Sequence, residues 1–373
     1  MNALAAALRD EISRDGPITL ARYMEQALGH PTLGYYRNRD PLGTRGDFTT
    51  APEISQMFGE MIGAWLAVAW QQSGSPDLIN LVEIGPGRGT MMSDALRVTR
   101  AVAGFHGSIK LHLVETSEPL RAAQATAMAH CGVSATWHDS CDNLPSGPLL
   151  LVANEFFDAL PVHQFEQTRD GWRERLITFN DQDGDRFRLV LSDAAPPFTP
   201  PMMLQDAPLG SVWETSPQSQ ATIRALAGRI AADGGVALII DYGYGQPSCG
   251  ESLQALRAHH RHDPLAEPGS ADITAHVDFT ALGASAAAAG AKTYGPIDQG
   301  PFLTGLGLAA RAERLRAAAL ARNRPDQAAA IATAYKRVSA PTEMGSLFKA
   351  LAFSAANQPA PPGFTAASQS ETP

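Results

Sequence analysis

The stretch "LVEIGPGRGTMMSDAL", residues 81–96, limits what this chain can fold into more than any other. An apolar run fit for a buried strand (77–85) ends on three glycines two apart, Gly85, Gly87 and Gly89, and passes at once into a helical pattern from about Thr90 to Val102. A second apolar run, "SIKLHLVET" at 108–116, follows. Strand, helix and strand in such short succession make a parallel unit, and its crossover is right-handed. The expected fold is therefore α/β, with a doubly wound and mostly parallel sheet.

The pattern continues through a helix "PLRAAQATAMAH", a short strand "SATWHD", the strand "PLLLVA", a helix "QATIRALAGRIAA" and the strand "GGVALIIDYG", which brings the candidate parallel strands to five. Between the fourth and fifth, "HQFEQTRDGWRERLITFNDQDGDRFRLVLSD" and the Pro-rich "AAPPFTPP" read as an inserted β-meander and linker. In "TAPEISQMFGEMIGAWLAVAW", Thr50 and Glu53 have capping-box spacing, so one substantial helix is expected to start there. An Ala-rich helical region spans about 305–337, "MGSLFKALAFS" suits a last strand, and "NQPAPPGFTAASQSETP" has the composition of a disordered tail. The expected organisation is 1–75 as N-terminal helices and lid loop, 76–165 as the ligand-binding half of a Rossmann-like core, 166–215 as the inserted meander, 216–355 as the second half with a helical substrate-side region, and 356–373 as tail.

Charge and cysteine usage remove whole classes. A net charge of -9 argues against nucleic acid, which needs clustered Lys and Arg. Cys131, Cys141 and Cys249 are odd in number and form no CxxC pair, so neither a disulfide framework nor a structural zinc site is indicated. No apolar run reaches the length of a membrane span, and the first residues build no signal-peptide core, so the expectation is a cytoplasmic protein without membrane insertion.

Glycines at a strand-to-helix turn let backbone amides approach a ligand. Glu115, ending the second strand, is placed to accept hydrogen bonds from ribose hydroxyls. Dinucleotide binders show GxGxxG, whereas here the third glycine comes one residue sooner, which disfavours a nicotinamide-linked oxidoreductase. GxGxG preceded by Glu83 is similar to the first motif of class I S-adenosylmethionine-dependent methyltransferases, and Asp139, at the exit of the third strand, is then placed to meet the adenine edge. The competing readings are an empty tight connection for the glycines and a plain turn residue for Asp139.

Together with "GDFTTAPEISQMFGE", "ANEFFDALPVHQF", "IIDYGY" and "GSADITAHVDF", the glycine motif gives the sequence a resemblance to the MidA family of methyltransferases over residues 15–355. That family includes a mitochondrial complex I assembly factor that methylates an arginine of a complex I core subunit. The resemblance implies a class I methyltransferase sheet, S-adenosyl-L-methionine as cofactor and a protein substrate. It also implies that Glu83, Gly85, Gly87 and Gly89 match the cofactor loop, Glu115 the ribose acid, and Asn154, Glu155 and Asp158 the fourth-strand signature. A small-molecule methyltransferase and a non-catalytic cofactor-binding assembly factor are the alternatives. Apolar surface on the inserted region could support a homodimer.

The chemistry asked of Asn154, Glu155 and Asp158 follows from the substrate. Guanidinium is a poor nucleophile, charged and delocalised over three nitrogens. A carboxylate can hold two of them and polarise the third as its proton leaves. If a helical turn begins at Asn154, Glu155 and Asp158 share a face at i, i+3; the bland reading is a capped turn with acids at its positive end. Asp241 and Tyr242 sit at another strand end and divide evenly between ligand contact and turn. His259, His260, His262, Asp272, His276 and Asp278 show no metal-ligand spacing, and Asp272 reads as a helix cap. Tyr35, Asp47, Thr49 and Thr50 belong to the expected lid, with Thr50 a cofactor contact, while Trp65 and Trp70 read as core anchors.

Overall fold

The computed structural model describes residues 2–38, 50–180 and 186–364. Its chain forms two units, each drawn from three separated stretches: Met1–Phe48, Phe157–Ala221 and Gln246–Asp278 in the first, and Thr49–Phe156, Thr222–Gly245 and Phe279–Pro373 in the second. Consecutive spans such as 76–165 and 166–215 do not follow these seams. The chain leaves the parallel sheet where its strands run out, just after Asn154 and Tyr244, rather than at a change of composition.

Among the described residues seven strands carry the second unit: β1 (Ile79–Ile84), β2 (Ile109–Val114), β3 (Ala135–His138), β4 (Leu149–Asn154), β5 (Gly235–Tyr244), β6 (Lys292–Asp298) and β7 (Phe348–Ser354). They lie in the order 3-2-1-4-5-7-6. Neighbours among β1 to β5 pair in parallel, and β7 runs antiparallel to both β5 and β6. Every residue of β1 and β4 is buried, as strands covered on both faces require, hence their apolar runs. The antiparallel β6, with its Gly-Pro interruption, is a strand that local pattern misses.

Register places the functional loops. Ile84 of β1 lies opposite Val114 of β2 and Ala153 of β4, so these three strands end level. The strand order reverses between β1 and β4, and ligands of open α/β sheets bind at that reversal, outside the carboxyl ends. The glycine turn, Glu115 and Glu155 all begin at this edge.

Some expectations change. The helix expected from Thr50 is two, Ala51–Ile54 and Gln56–Gln72, parted at Ser55, whose extended backbone (φ -159°, ψ 130°) breaks the helix and whose side chain caps the next one through Met57 N–H. The capping box does not form: Thr50 makes no side-chain cap bond, and Glu53 instead accepts from the Thr90 hydroxyl at 2.5 Å. The tail expected to be disordered is packed as far as Phe364, which is 3 % exposed, and Trp65 Nε1 donates to Pro362 O at 3.1 Å. Residues 365–373 of that tail, and Asp47 and Thr49 of the expected lid, lie outside the described residues. Trp65 and Trp70 are buried core residues.

The first unit holds the meander. Strands Ile18–Thr19, Gly171–Asn180, His163–Thr168 and Val212–Thr215 pair in that order, with Arg186–Leu191 also on Gly171–Asn180. A smaller antiparallel sheet joins Gln254–Arg257, His260–His262 and Asp272–Thr274. Asp272 therefore caps no helix; it is buried in a strand and accepts from Tyr36 Oη at 2.7 Å. Among the described residues no three His, Cys, Asp or Glu gather as a metal site, and no helix is long and apolar enough to cross a membrane.

Candidate active site

The turn after β1 can be made only with glycine. Gly85, Gly87 and Gly89 have φ of +64°, +54° and +80°, a region costly for residues with a Cβ. Space adds to the constraint: a Cβ on Gly85 would lie 2.9 Å from Phe156 Cδ2, and one on Gly89 3.2 Å from Gln124 Cα. The helix Thr90–Thr99 starts from Gly89 with no side-chain cap. Its first amides and dipole therefore present a positive end to a ligand beside the turn.

Beneath the turn sits Glu83, 2 % exposed, whose Oε2 has no hydrogen-bond partner among the described residues. Burial pushes its pKa up to about 8. An unmet buried carboxyl oxygen is costly, and a donor from a ligand resting on the turn would relieve it.

Glu115 follows β2. Its Oε1 accepts from the Thr116 and Ser117 amides, both at 2.8 Å, and its Oε2 from Gln124 Nε2 at 3.2 Å. Burial raises its pKa, against the lowering effect of these donors and of Arg121. Arg121 donates through Nε to Glu115 O at 2.9 Å and pairs with Asp139 Oδ1 at 2.6 Å. Asp139, exposed past the end of β3, thus has a structural partner of its own.

Beyond β4 the helical turn expected from Asn154 does not form. Asn154 is the last strand residue, Glu155 takes φ +50°, and a single 3-10 turn begins only at Phe157. Glu155 and Asp158 therefore share no helical face at i, i+3, because the left-handed backbone at Glu155 keeps residues 154–158 from forming a helical turn. Glu155 Oε1 accepts from Ala51 N–H at 3.0 Å and Asn154 Nδ2 at 3.1 Å. The carboxylate thus does at Ala51 what the Thr50 hydroxyl was expected to do for this helix. Asn154, 8 % exposed, keeps a buried Oδ1 without a partner among the described residues. Asp158 lies in the first unit, in the stretch that starts at Phe157, where it is buried; its carbonyl accepts from Ala275 N–H at 3.0 Å, and its charge adds to burial and to Asp272 in raising the pKa of Tyr36.

Two residues that the sequence under-read complete the site. Asp241, fully buried in β5, accepts from Phe156 N–H at 3.2 Å and Tyr242 N–H at 2.9 Å, so it fixes the peptide after Glu155 and the ring that lies on Gly85. Gln124, also fully buried, donates to Gly87 O at 2.7 Å as well as to Glu115. Its signal was a polar residue in the apolar stripe Leu120, Gln124 and Met128 of a helix.

The geometry matches known proteins. Residues 61–297 match a family model described as "Putative S-adenosyl-L-methionine-dependent methyltransferase". The chain is 39% identical to the protein arginine methyltransferase NDUFAF7 homolog, mitochondrial, of Drosophila melanogaster, over 94% of this chain and 84% of that protein. It is 36% identical to the protein arginine methyltransferase NDUFAF7, mitochondrial, of Homo sapiens, over 91% of this chain and 80% of that one. A Burkholderia thailandensis crystal structure bound to S-adenosyl-homocysteine superposes with TM-score 0.83 at 29% identity, over 98% of this chain and 95% of that chain. The relatives' names place them in mitochondria, which overturns the cytoplasmic expectation. A nucleoside cofactor without pyrophosphate suits the short GxGxG turn, the acid after β2 and the unmet oxygen of Glu83. By sequence and fold this chain belongs to that family of methyltransferases, with S-adenosyl-L-methionine as its cofactor.

Proposed function

We propose that the enzyme methylates a guanidinium nitrogen of an arginine in a partner protein, with a respiratory complex I subunit, implied by the MidA resemblance, as the first candidate. The names of the relatives support the arginine. One observation carries the chemistry: Glu155 follows β4, the strand next to β1, and its carboxylate is held there by two donors. Adjacent strands lie about 4.8 Å apart, so an acid after β4 and a ligand on the β1 turn are neighbours.

In this reading Gly85, Gly87 and Gly89 admit the cofactor, Glu83 accepts from its polar end, Glu115 takes the ribose, and Thr50 and Asp139 contribute at its margins. The bound cofactor supplies a methyl group on a sulfonium. Glu155 pairs with the guanidinium, orients its plane and favours loss of the proton from the nitrogen that accepts the methyl. Asn154 holds Glu155 in place. The assignment of Asp158 as a second acid rests on the family resemblance alone. The test is incubation of the enzyme with S-adenosyl-L-methionine and candidate proteins, followed by mass mapping of methylated residues. Methyl-arginine on one protein, abolished by Glu155→Gln, is expected; cofactor binding without any methylated protein would sink the proposal.

A further inference from the structure

We propose that Gln124 is a positioning residue that aims the ribose-binding oxygen of Glu115. The inference rests on the assignment of Glu115 to the ribose.

The side-chain amide has only one way to satisfy its neighbours. Trp137 Nε1 is a donor only, and it lies 2.8 Å from Gln124 Oε1. With the oxygen committed there, the Nε2 protons face the other way, one to Gly87 O at 2.7 Å and one to Glu115 Oε2 at 3.2 Å. Gln124 is fully buried, so water cannot substitute for any of these partners. One amide thereby joins β3 through Trp137, the glycine turn and the acid after β2.

A carboxylate has about four acceptor positions. Oε1 spends two on the Thr116 and Ser117 amides, and Oε2 spends one on Gln124. Among the described residues one position remains, on Oε2, and the Gln124 proton decides where it points. A ribose hydroxyl is a donor that this position accepts. Gln124 touches no reacting atom; it acts through Glu115 and, by the same NH2 group, holds the carbonyl of the central turn glycine.

The experiment is calorimetric binding of S-adenosyl-homocysteine and of its 2′-deoxy and 3′-deoxy analogues to wild type, Gln124→Met and Glu115→Gln. Met keeps the volume and removes the donor. With the parent ligand, Gln124→Met is expected to weaken binding about tenfold, the order of a lost hydrogen bond to a charged group. With the deoxy analogue that lacks the hydroxyl bound by Oε2, the loss should shrink to about twofold or less, since the aimed interaction is already missing. An equal loss for all three ligands would make Gln124 a packing residue and overturn the inference. Glu115→Gln separates the two levels: if it discriminates ribose from deoxyribose and Gln124→Met does not, only the positioning role fails; if Glu115→Gln does not discriminate either, the ribose assignment fails with it. Gln124→Glu, nearly isosteric, is the second variant in case Met prevents folding. Its affinity for the parent ligand should recover as pH falls and the new carboxyl regains a proton to donate, and a flat profile would count against the role.

Discussion

The carboxylate of Glu155, on the residue after β4, accepts the Ala51 backbone amide at 3.0 Å, across 104 residues of sequence. The acid proposed for substrate binding is thereby also the cap of the short helix Ala51–Ile54, whose Glu53 bonds the hydroxyl of Thr90, the first helical residue after the glycine turn. The carboxylate of Glu155 and the start of the helix after the glycine turn are tied through three backbone residues, Ala51–Glu53.

Glu155→Gln should separate these roles. The amide oxygen can still accept from Ala51, so stability should change by less than about 1 kcal/mol, while loss of the charge lowers kcat by about 10²–10⁴-fold. Thermal melting and single-turnover methyl transfer check this; a comparable loss of melting temperature and rate would assign Glu155 to structure alone.

Gly85→Ala should destabilise the fold by about 1–3 kcal/mol, because φ is +64° and the new methyl would lie 2.9 Å from the Phe156 ring. Affinity for S-adenosyl-L-methionine should fall as well, since the backbone can no longer approach the ligand. Denaturant titration with and without cofactor reads both, and unchanged affinity would place the ligand elsewhere.

Glu83 makes stability depend on pH in a fixed direction. Its folded pKa, pushed up to about 8, exceeds the ordinary value of 4.5, so between these the folded state binds the extra proton. This contribution is present at low pH and is lost as pH rises from about 4.5 toward 8. Cofactor-free protein should therefore lose stability across this window relative to Glu83→Gln, which carries no titrating group there. Parallel curves for the two proteins would mean that Glu83 titrates normally.

Glu60 has the opposite sign. It is fully buried, and although burial pushes its pKa up, hydrogen bonds from Arg311 and Arg97 outweigh this and hold it below the usual range. Its contribution is present above the ordinary carboxylate pKa and is lost as pH falls through the lowered value. Arg311 binds both oxygens, at 2.6 and 2.7 Å, and Arg97 one at 2.9 Å. Glu60→Ala should cost about 2–3 kcal/mol, under the 3–5 of a fully buried pair because both arginines reach solvent. A denaturant midpoint within error of wild type would refute this.

The sequence by itself determined the parallel sheet and its cofactor edge. Continuous apolar runs such as Leu149–Ala153 bury both faces, and three closely spaced glycines need a turn that other residues cannot make; both are local properties. It also determined that an acid would stand after β2 and after β4. The tertiary structure decided what those acids do. The partners of Glu155 and Glu115 come from residues 51 and 124 as well as from their neighbours, and Asp241 reaches Phe156 only because β5 pairs with β4. The left-handed Glu155 and the break at Ser55 defeated helical reading because hydrogen bonds made elsewhere in the fold outweigh local propensity. Periodicity reports which face of an element is buried, whereas the partner of a buried polar group is set by which elements the fold brings alongside it.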